Sequence, residues 1–348
     1  MQLPAVDEKA LLTFLTGLLN TPSPTGLAEP GVSFTEKAFA LLPGVTTSRT
    51  RKGGLLVSWP GRRSDAPRAL TAHVDTLGAM VKEIKNNGKL ALTQLGGFAW
   101  NTIEGEGCTV FAHGGEKVRG SILLTTPSTH VHGKLLSDTL RSAETMEVRL
   151  DARAESEADT RALGIEVGDY VAFDPRVEVV NGFVRSRHLD DKAGVACILA
   201  AARAMSAAGS NPLQTTYILI SNYEEVGHGA SAGIPAEVQE LVAVDMAAVG
   251  GGQTSDEFHS TLCVKDTGGP YHHGLSQRLR SLAEDEGIDY KVDIYPYYGS
   301  DGEAFWRAGG DVAVALIGPG VDASHNYERT HVEALLATAQ WVMAYLLN

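Results

Sequence analysis

The sequence predicts an α/β protein, a mostly parallel sheet flanked by helices, with a small β-rich domain inserted into it. Two observations carry this. Over residues 1–75 and 185–348, apolar strand-like runs alternate with helical patterns, the rhythm of a parallel sheet covered on both faces. Over residues 76–184 the texture changes to short alternating runs separated by Gly, Asn and Asp turns. The first two segments therefore form one discontinuous domain, and the middle segment forms the insertion.

The elements follow in order. Leu11, Leu12, Phe14, Leu15, Leu18 and Leu19 recur at helical spacing and predict a helix over 7–20, stopped by Thr21-Pro22-Ser23-Pro24. A second helix is expected over 34–42, then strands over 54–59 and 69–73. Within the insertion the alternating runs are 79–84, 89–95, 119–125, 146–150 and 169–173, with one helix over 158–163. The chain then resumes with a long Ala-rich helix over 191–208 and strands over 215–221, 241–244 and 262–265. A helix over 274–286, a strand over 291–295, a short helix over 302–308, a strand over 312–317 and a terminal helix over 331–347 complete it.

Composition narrows the functional classes. With 348 residues, 43% hydrophobic and 20% charged, the chain is an ordinary globular protein with ample core. A net charge of −13 argues against nucleic-acid and anionic-membrane partners and suits a binder of divalent cations. Cys108, Cys197 and Cys263 lie far apart with no CxxC pair, as in a reducing compartment. The first residues lack a signal-peptide pattern, and no stretch approaches the roughly 20 apolar residues of a membrane span. A cytoplasmic location is the expectation.

The chemistry-bearing residues gather at strand ends. His73 and Asp75 close one predicted strand, Asp190 and Asp191 open the long helix, and Glu224 and Glu225 follow the strand over 215–221. Asp245 ends the next strand, and His325 lies beyond the strand over 312–317. Open α/β sheets bind ligands outside the carboxyl ends of their strands, so five segments deliver Asp, Glu or His to one edge. Two imidazoles with several carboxylates suit zinc, and one carboxylate can bridge two metals. Four clustered acids would otherwise repel and take up protons, whereas two divalent cations would balance them. Read singly the same residues are bland. Asp190-Asp191 could cap a helix, Glu224-Glu225 could be a solvated pair, and Asp245 could sit in a turn. His331, six residues after His325, competes with it but falls where the last helix begins.

The segments Ala72-His73-Val74-Asp75, Leu189-Asp190-Asp191-Lys192, Glu224-Glu225-Val226-Gly227 and Val244-Asp245-Met246 resemble the successive motifs of the tetrahedral aminopeptidase family. So do Pro22-Ser23-Pro24-Thr25-Gly26 and Leu95-Gly96-Gly97. That family includes glutamyl and deblocking aminopeptidases and belongs to the wider clan of co-catalytic dizinc peptidases. The resemblance implies that His73, Asp190, Glu225, Asp245 and His325 hold two divalent metal ions, zinc first, with cobalt or manganese as alternatives. Asp190 would bridge them and precede a cis peptide to Asp191. Glu224 would be the general base toward a metal-activated water, and Asp75 the carboxylate that orients a histidine ligand. The insertion would be a PDZ-like or barrel-like dimerisation domain, and the protein a homo-oligomer, from dimer up to dodecamer. Asp301, in Gly299-Ser300-Asp301-Gly302-Glu303, is a candidate for lining the substrate pocket.

The implied activity is removal of the first residue from short peptides. Thr76, Lys192 and the segment Ser324–His331 depart from the family pattern and bear on substrate preference, as in a divergent branch. Two other functions remain beside it: a dizinc deacylase or amidohydrolase acting on N-acyl or small amide substrates, and a non-catalytic metal- or peptide-binding module. Retention of Glu224 argues against the last.

Overall fold

The structure, a computed structural model, describes residues 3–348. The chain opens with helices α1 (Glu8–Leu19) and α2 (Glu29–Phe39), then strands β1 (Thr46–Arg49), β2 (Leu55–Trp59) and β3 (Arg63–His73). Asp7 caps α1 by accepting the Ala10 N–H. α2 starts five residues before the expected helix, because Pro30 in its first turn is already set to helical φ.

Residues Thr76–Pro175 form a compact unit of their own. Its strands are β4 (Gly78–Ile84), β5 (Leu90–Leu95), β6 (Gly107–Phe111), β7 (Lys117–Leu124), β8 (Met146–Leu150) and β9 (Tyr170–Phe173). They close into an antiparallel barrel in the order β4-β5-β8-β7-β6-β9. Closure leaves no unpaired edge. Inward residues such as Val81, Leu92, Cys108, Val110, Ile122 and Val148 fill the interior. The strand β6 was not anticipated; in it Cys108 and Val110 point inward while Thr109 stays partly exposed. The short helices α3 (Thr129–His132), α4 (Lys134–Asp138) and α5 (Glu157–Ala162) complete this unit.

The unit ends at Pro175 rather than at 184. The hairpin of β10 (Glu178–Val180) and β11 (Phe183–Ser186) belongs instead to the larger sheet, where β11 pairs with β18 (Glu328–His331). Between these strands the chain runs through α6 (Leu189–Ala207), β12 (Gln214–Ser221), β13 (Glu240–Val244) and β14 (Ala247–Val249). It continues through β15 (Ser260–Lys265), α7 (His273–Glu286), β16 (Tyr290–Ile294), α8 (Asp301–Arg307) and β17 (Ala313–Asp322). The helix α9 (Val332–Leu347) ends the chain.

The sheet has twelve strands among the described residues: nine follow the path β1-β2-β12-β3-β13-β17-β18-β11-β10, while β14 and β15 pair with β17 off that path and β16 pairs with β15. Its centre, β12-β3-β13-β17, is parallel, and the flanking pairs are antiparallel. α6 packs against the sheet and also against α1 and α9. That explains why its buried residues run round the whole helix instead of along one stripe. Each fully buried Val195, Ile198, Leu199 or Met205 side chain contributes on the order of 1.5–3 kcal/mol.

β13 and β17 approach too closely for a side chain at one point. A Cβ at Gly318 would stand 1.6 Å from the Asp245 carbonyl oxygen. Gly318→Ala should therefore push Asp245 out of register, costing about 2–4 kcal/mol or more. Thermal denaturation should show a Tm lower by several degrees, or the variant should fail to fold; an unchanged Tm would contradict this packing.

Candidate metal centre

Strand register brings the carboxyl ends of β12, β3 and β13 to one level, and β17 runs on past them toward the turn that carries His325. Ser221 pairs with His73 across β12 and β3, and Ala243 pairs with Thr71 across β13 and β3. His73 and Asp245 each lie two residues beyond that second pair, so they emerge side by side. The turn after β12 supplies Glu224 and Glu225, and the turn between β17 and β18 supplies His325. Asp190 enters from the start of α6, where Asp190 and Asp191 have non-helical backbone angles and are joined by a cis peptide.

These groups converge on Asp190. Its Oδ1 lies 3.1 Å from His73 Nε2 and its Oδ2 lies 3.3 Å from His325 Nε2. Each carboxylate oxygen therefore faces a different imidazole. His73, Asp190 and Asp245, all buried, offer ligand atoms within 4.8 Å of one another. Glu225 Oε2 is 3.6 Å from His325 Nε2, and Glu224 Oε2 is 3.6 Å from His73 Nε2. In a tetrahedral zinc site with bonds of 2.0–2.1 Å, neighbouring ligand atoms stand about 3.3 Å apart. The donor set suits a divalent cation, and the contacts of Asp190 with the two imidazoles already stand near that spacing.

Asp75 is fully buried, and its role differs in detail from the expected one. The nearest partner of His73 Nδ1 is the Asp75 backbone carbonyl at 2.9 Å, with the carboxylate at 3.7 Å. The carboxylate instead accepts the backbone N–H groups of Glu224 (3.2 Å) and Glu225 (3.4 Å) and the Thr25 hydroxyl (2.8 Å). Asp75 thus holds the imidazole with its main chain and the Glu224-Glu225 turn with its side chain. Asp191, also buried, accepts N–H groups from His73 and Gly194.

A cleft of about 390 Å³ opens beside this cluster. Asp190, Glu224, Glu225, Asp245 and His325 line it, with Tyr297, Ser300 and Arg307 toward the far side. Asp301 is not part of that lining. It is 3% exposed, and its carboxylate accepts hydrogen bonds from Thr71, Ser221 and the Ala230 N–H. An Asp at the first turn of a helix beneath a strand end serves the packing there, which sequence spacing alone does not reveal. His331 stands apart as well, packed against Phe183 and Phe258 and capping α9 through the Glu333 N–H. Sequence reading missed Glu328, a buried carboxylate that accepts the backbone N–H groups of both His325 and Asp190. Its one local signal was its place three residues after a candidate ligand, at the start of a short polar strand.

Residues 53–341 match the model of the M42 glutamyl aminopeptidases. The chain belongs to that family. It is therefore a peptide hydrolase. It is 48% identical over 330 residues to the putative aminopeptidase YhfE of Bacillus subtilis (strain 168), across 94% of this chain and 95% of that one. Its fold is similar to that of a TET aminopeptidase from a marine sediment archaeon of the Thaumarchaeota. The TM-score there is 0.87 at 17% identity, over 97% of this chain and 96% of the other. It is also similar to the TET1 peptidase of Pyrococcus horikoshii, described as assembling into a tetrahedron or a large octahedral shell. That match has a TM-score of 0.84 at 21% identity, over 97% and 99% of the two chains. At these identities the structural likeness is one of fold.

Electrostatics in the M42 peptidase reflect its crowded acids. Burial pushes Glu225 and Glu328 up to about 8 and Asp245 to about 7, in each case helped by the charge of Asp190. Burial also raises Glu224, against the pull of His73. Asp190 goes the other way: burial opposes its charge, but hydrogen bonds from His325 and His73 outweigh it and hold it low. Burial disfavours a charged His73, yet Glu224, Asp190 and Asp245 together raise it well above the usual histidine value.

These shifts set the pH dependence of metal-stripped protein. Between about pH 4.5 and 8 the native state keeps protons on Glu225, Glu328 and Asp245 that the unfolded chain has lost. Stability therefore falls as pH rises through that window. His73 adds to the trend, because a raised imidazole stabilises at low pH and loses that contribution as pH climbs. Asp190, held low, contributes fully above its unfolded value and stays constant across the window. Chelator-treated protein should be less stable at pH 8 than at pH 5.5 by an amount on the order of a few kcal/mol. Added zinc should restore most at pH 8, since binding displaces those protons. Calorimetry showing equal Tm at the two pH values would contradict this.

Proposed function

We propose that this M42 peptidase is an aminopeptidase that removes the first residue of short peptides with two divalent cations, zinc before cobalt or manganese. The observation that carries the reading is Asp190, whose two oxygens face two different imidazoles at 3.1 and 3.3 Å. His73, Asp190 and Asp245 would hold one cation, and Asp190, Glu225 and His325 the other. Bound there, the cations would lower the pKa of a water and polarise the scissile carbonyl. Four acids at one strand edge, three of them with raised proton affinity, fit a site built for added positive charge.

The chain's own groups supply the remaining steps. Glu224 lines the cleft, and its backbone is pinned by Asp75. Its carboxylate takes a proton from the attacking water and returns it to the departing amine. Asp75 positions that carboxylate by fixing the turn that carries it, and its main-chain carbonyl orients His73. The acidic cleft favours a free substrate amino terminus, which confines cleavage to the first bond. A cleft of about 390 Å³ suits one or two residues of a peptide. The barrel unit is the proposed dimerisation module, and assembly of the kind described for the Pyrococcus protein, from dimer up to dodecamer, is proposed here too. Three buried free thiols suit a cytoplasmic setting. Among the described residues no helix is long and apolar enough to cross a membrane.

Two measurements test the reading. Glu224→Gln should retain wild-type metal content while kcat falls by about 10²–10⁴-fold; turnover near wild type would remove Glu224 from the mechanism. Free-amine peptides should be cleaved and their N-acetylated forms left intact. Hydrolysis of the blocked forms alone would favour a deacylase instead.

A further inference from the structure

We infer that Glu328 is a positioning residue that locks His325 against Asp190, and that it governs one of the two proposed cation positions more than the other. This rests on the two-cation reading above. The two imidazoles are held by different means. His73 ends a central strand, is 1% exposed, and has its Nδ1 against the Asp75 carbonyl. His325 lies in the turn between β17 and β18, its side chain 39% exposed. Its φ of 63° and that of Ala323 at 58° are left-handed, a region non-glycine residues enter only when the surroundings hold them there.

Glu328 supplies that hold. It is the first residue of β18, paired with Ser186 of β11, and is 2% exposed. Its Oε1 accepts the His325 N–H at 3.0 Å and its Oε2 accepts the Asp190 N–H at 3.1 Å. One buried carboxylate therefore joins the main chains of two proposed ligands that lie 138 residues from Glu328 in one case and three in the other. The distance between the His325 and Asp190 side chains depends on it. Removing the carboxylate leaves a buried N–H donor at Asp190 and a part-buried one at His325 without this acceptor and releases a left-handed turn. Strand β3 and Asp75 would still hold His73.

The test is zinc binding by the full chain, measured by chelator competition with metal content by mass spectrometry, for wild type, Glu328→Ala and Glu328→Gln. Wild type should bind two equivalents. In Glu328→Ala the dissociation constant of one equivalent should rise about 10–100-fold, while the other stays within about threefold. Glu328→Gln should fall between, because its amide keeps one acceptor oxygen where the carboxylate has two. If Glu328→Ala does not fold, the Gln variant decides by the same split. Unchanged affinities in the variants would overturn the inference, and so would equal weakening of both equivalents, the mark of general destabilisation. Fewer than two equivalents in the wild type would instead overturn the two-cation reading itself, and no variant is needed to see that.

Discussion

Asp190 sits buried between two imidazoles that hold its proton affinity low, and much of the larger unit serves to keep it there. The proton affinities of its neighbours Glu225 and Asp245 rise, first because burial disfavours their charge and then because the charge of Asp190 is close. Such a cluster is costly to keep without compensating positive charge. The fold meets the geometric part of that demand with rigid elements. Three parallel strands end at one level, the start of α6 delivers Asp190, and the close approach at Gly318 sets where Asp245 can stand. In the proposed reading cations meet the electrostatic part.

Around the cluster runs a set of carboxylates that never point into the cleft. Asp75 accepts the N–H groups of Glu224 and Glu225, Asp191 accepts those of His73 and Gly194, and Glu328 accepts those of Asp190 and His325. Asp301 does similar service one layer below, for Thr71, Ser221 and Ala230. Each converts a loop or strand end, which would otherwise be loose, into a fixed mount. Buried carboxylates can do this because each has two oxygens and can tie two segments at once.

This division explains what was legible in the sequence. The alternation of apolar strands with an Ala-rich helix exposed the parallel core. The positions of His73, Asp190, Glu225, Asp245 and His325 at strand ends pointed to one edge. Local patterning could not separate an acid that faces the cleft from one that faces the scaffold, so Asp301 looked like a pocket residue and Glu328 went unnoticed. Texture alone extends the insertion as far as residue 184, inside the hairpin β10–β11, because the helical pattern resumes only after that hairpin. Only its pairing with β18, about 150 residues on, places it in the large sheet. Long-range pairing of this kind leaves no local trace.

The most direct test of the account is the position of bound metal. Crystals grown with zinc and measured at the zinc absorption edge should show two anomalous peaks, one on each side of the Asp190 carboxylate. Their separation should be about 3.5–4 Å, with His73 and His325 on opposite peaks. A single peak, or two peaks that share neither oxygen of Asp190, would contradict it.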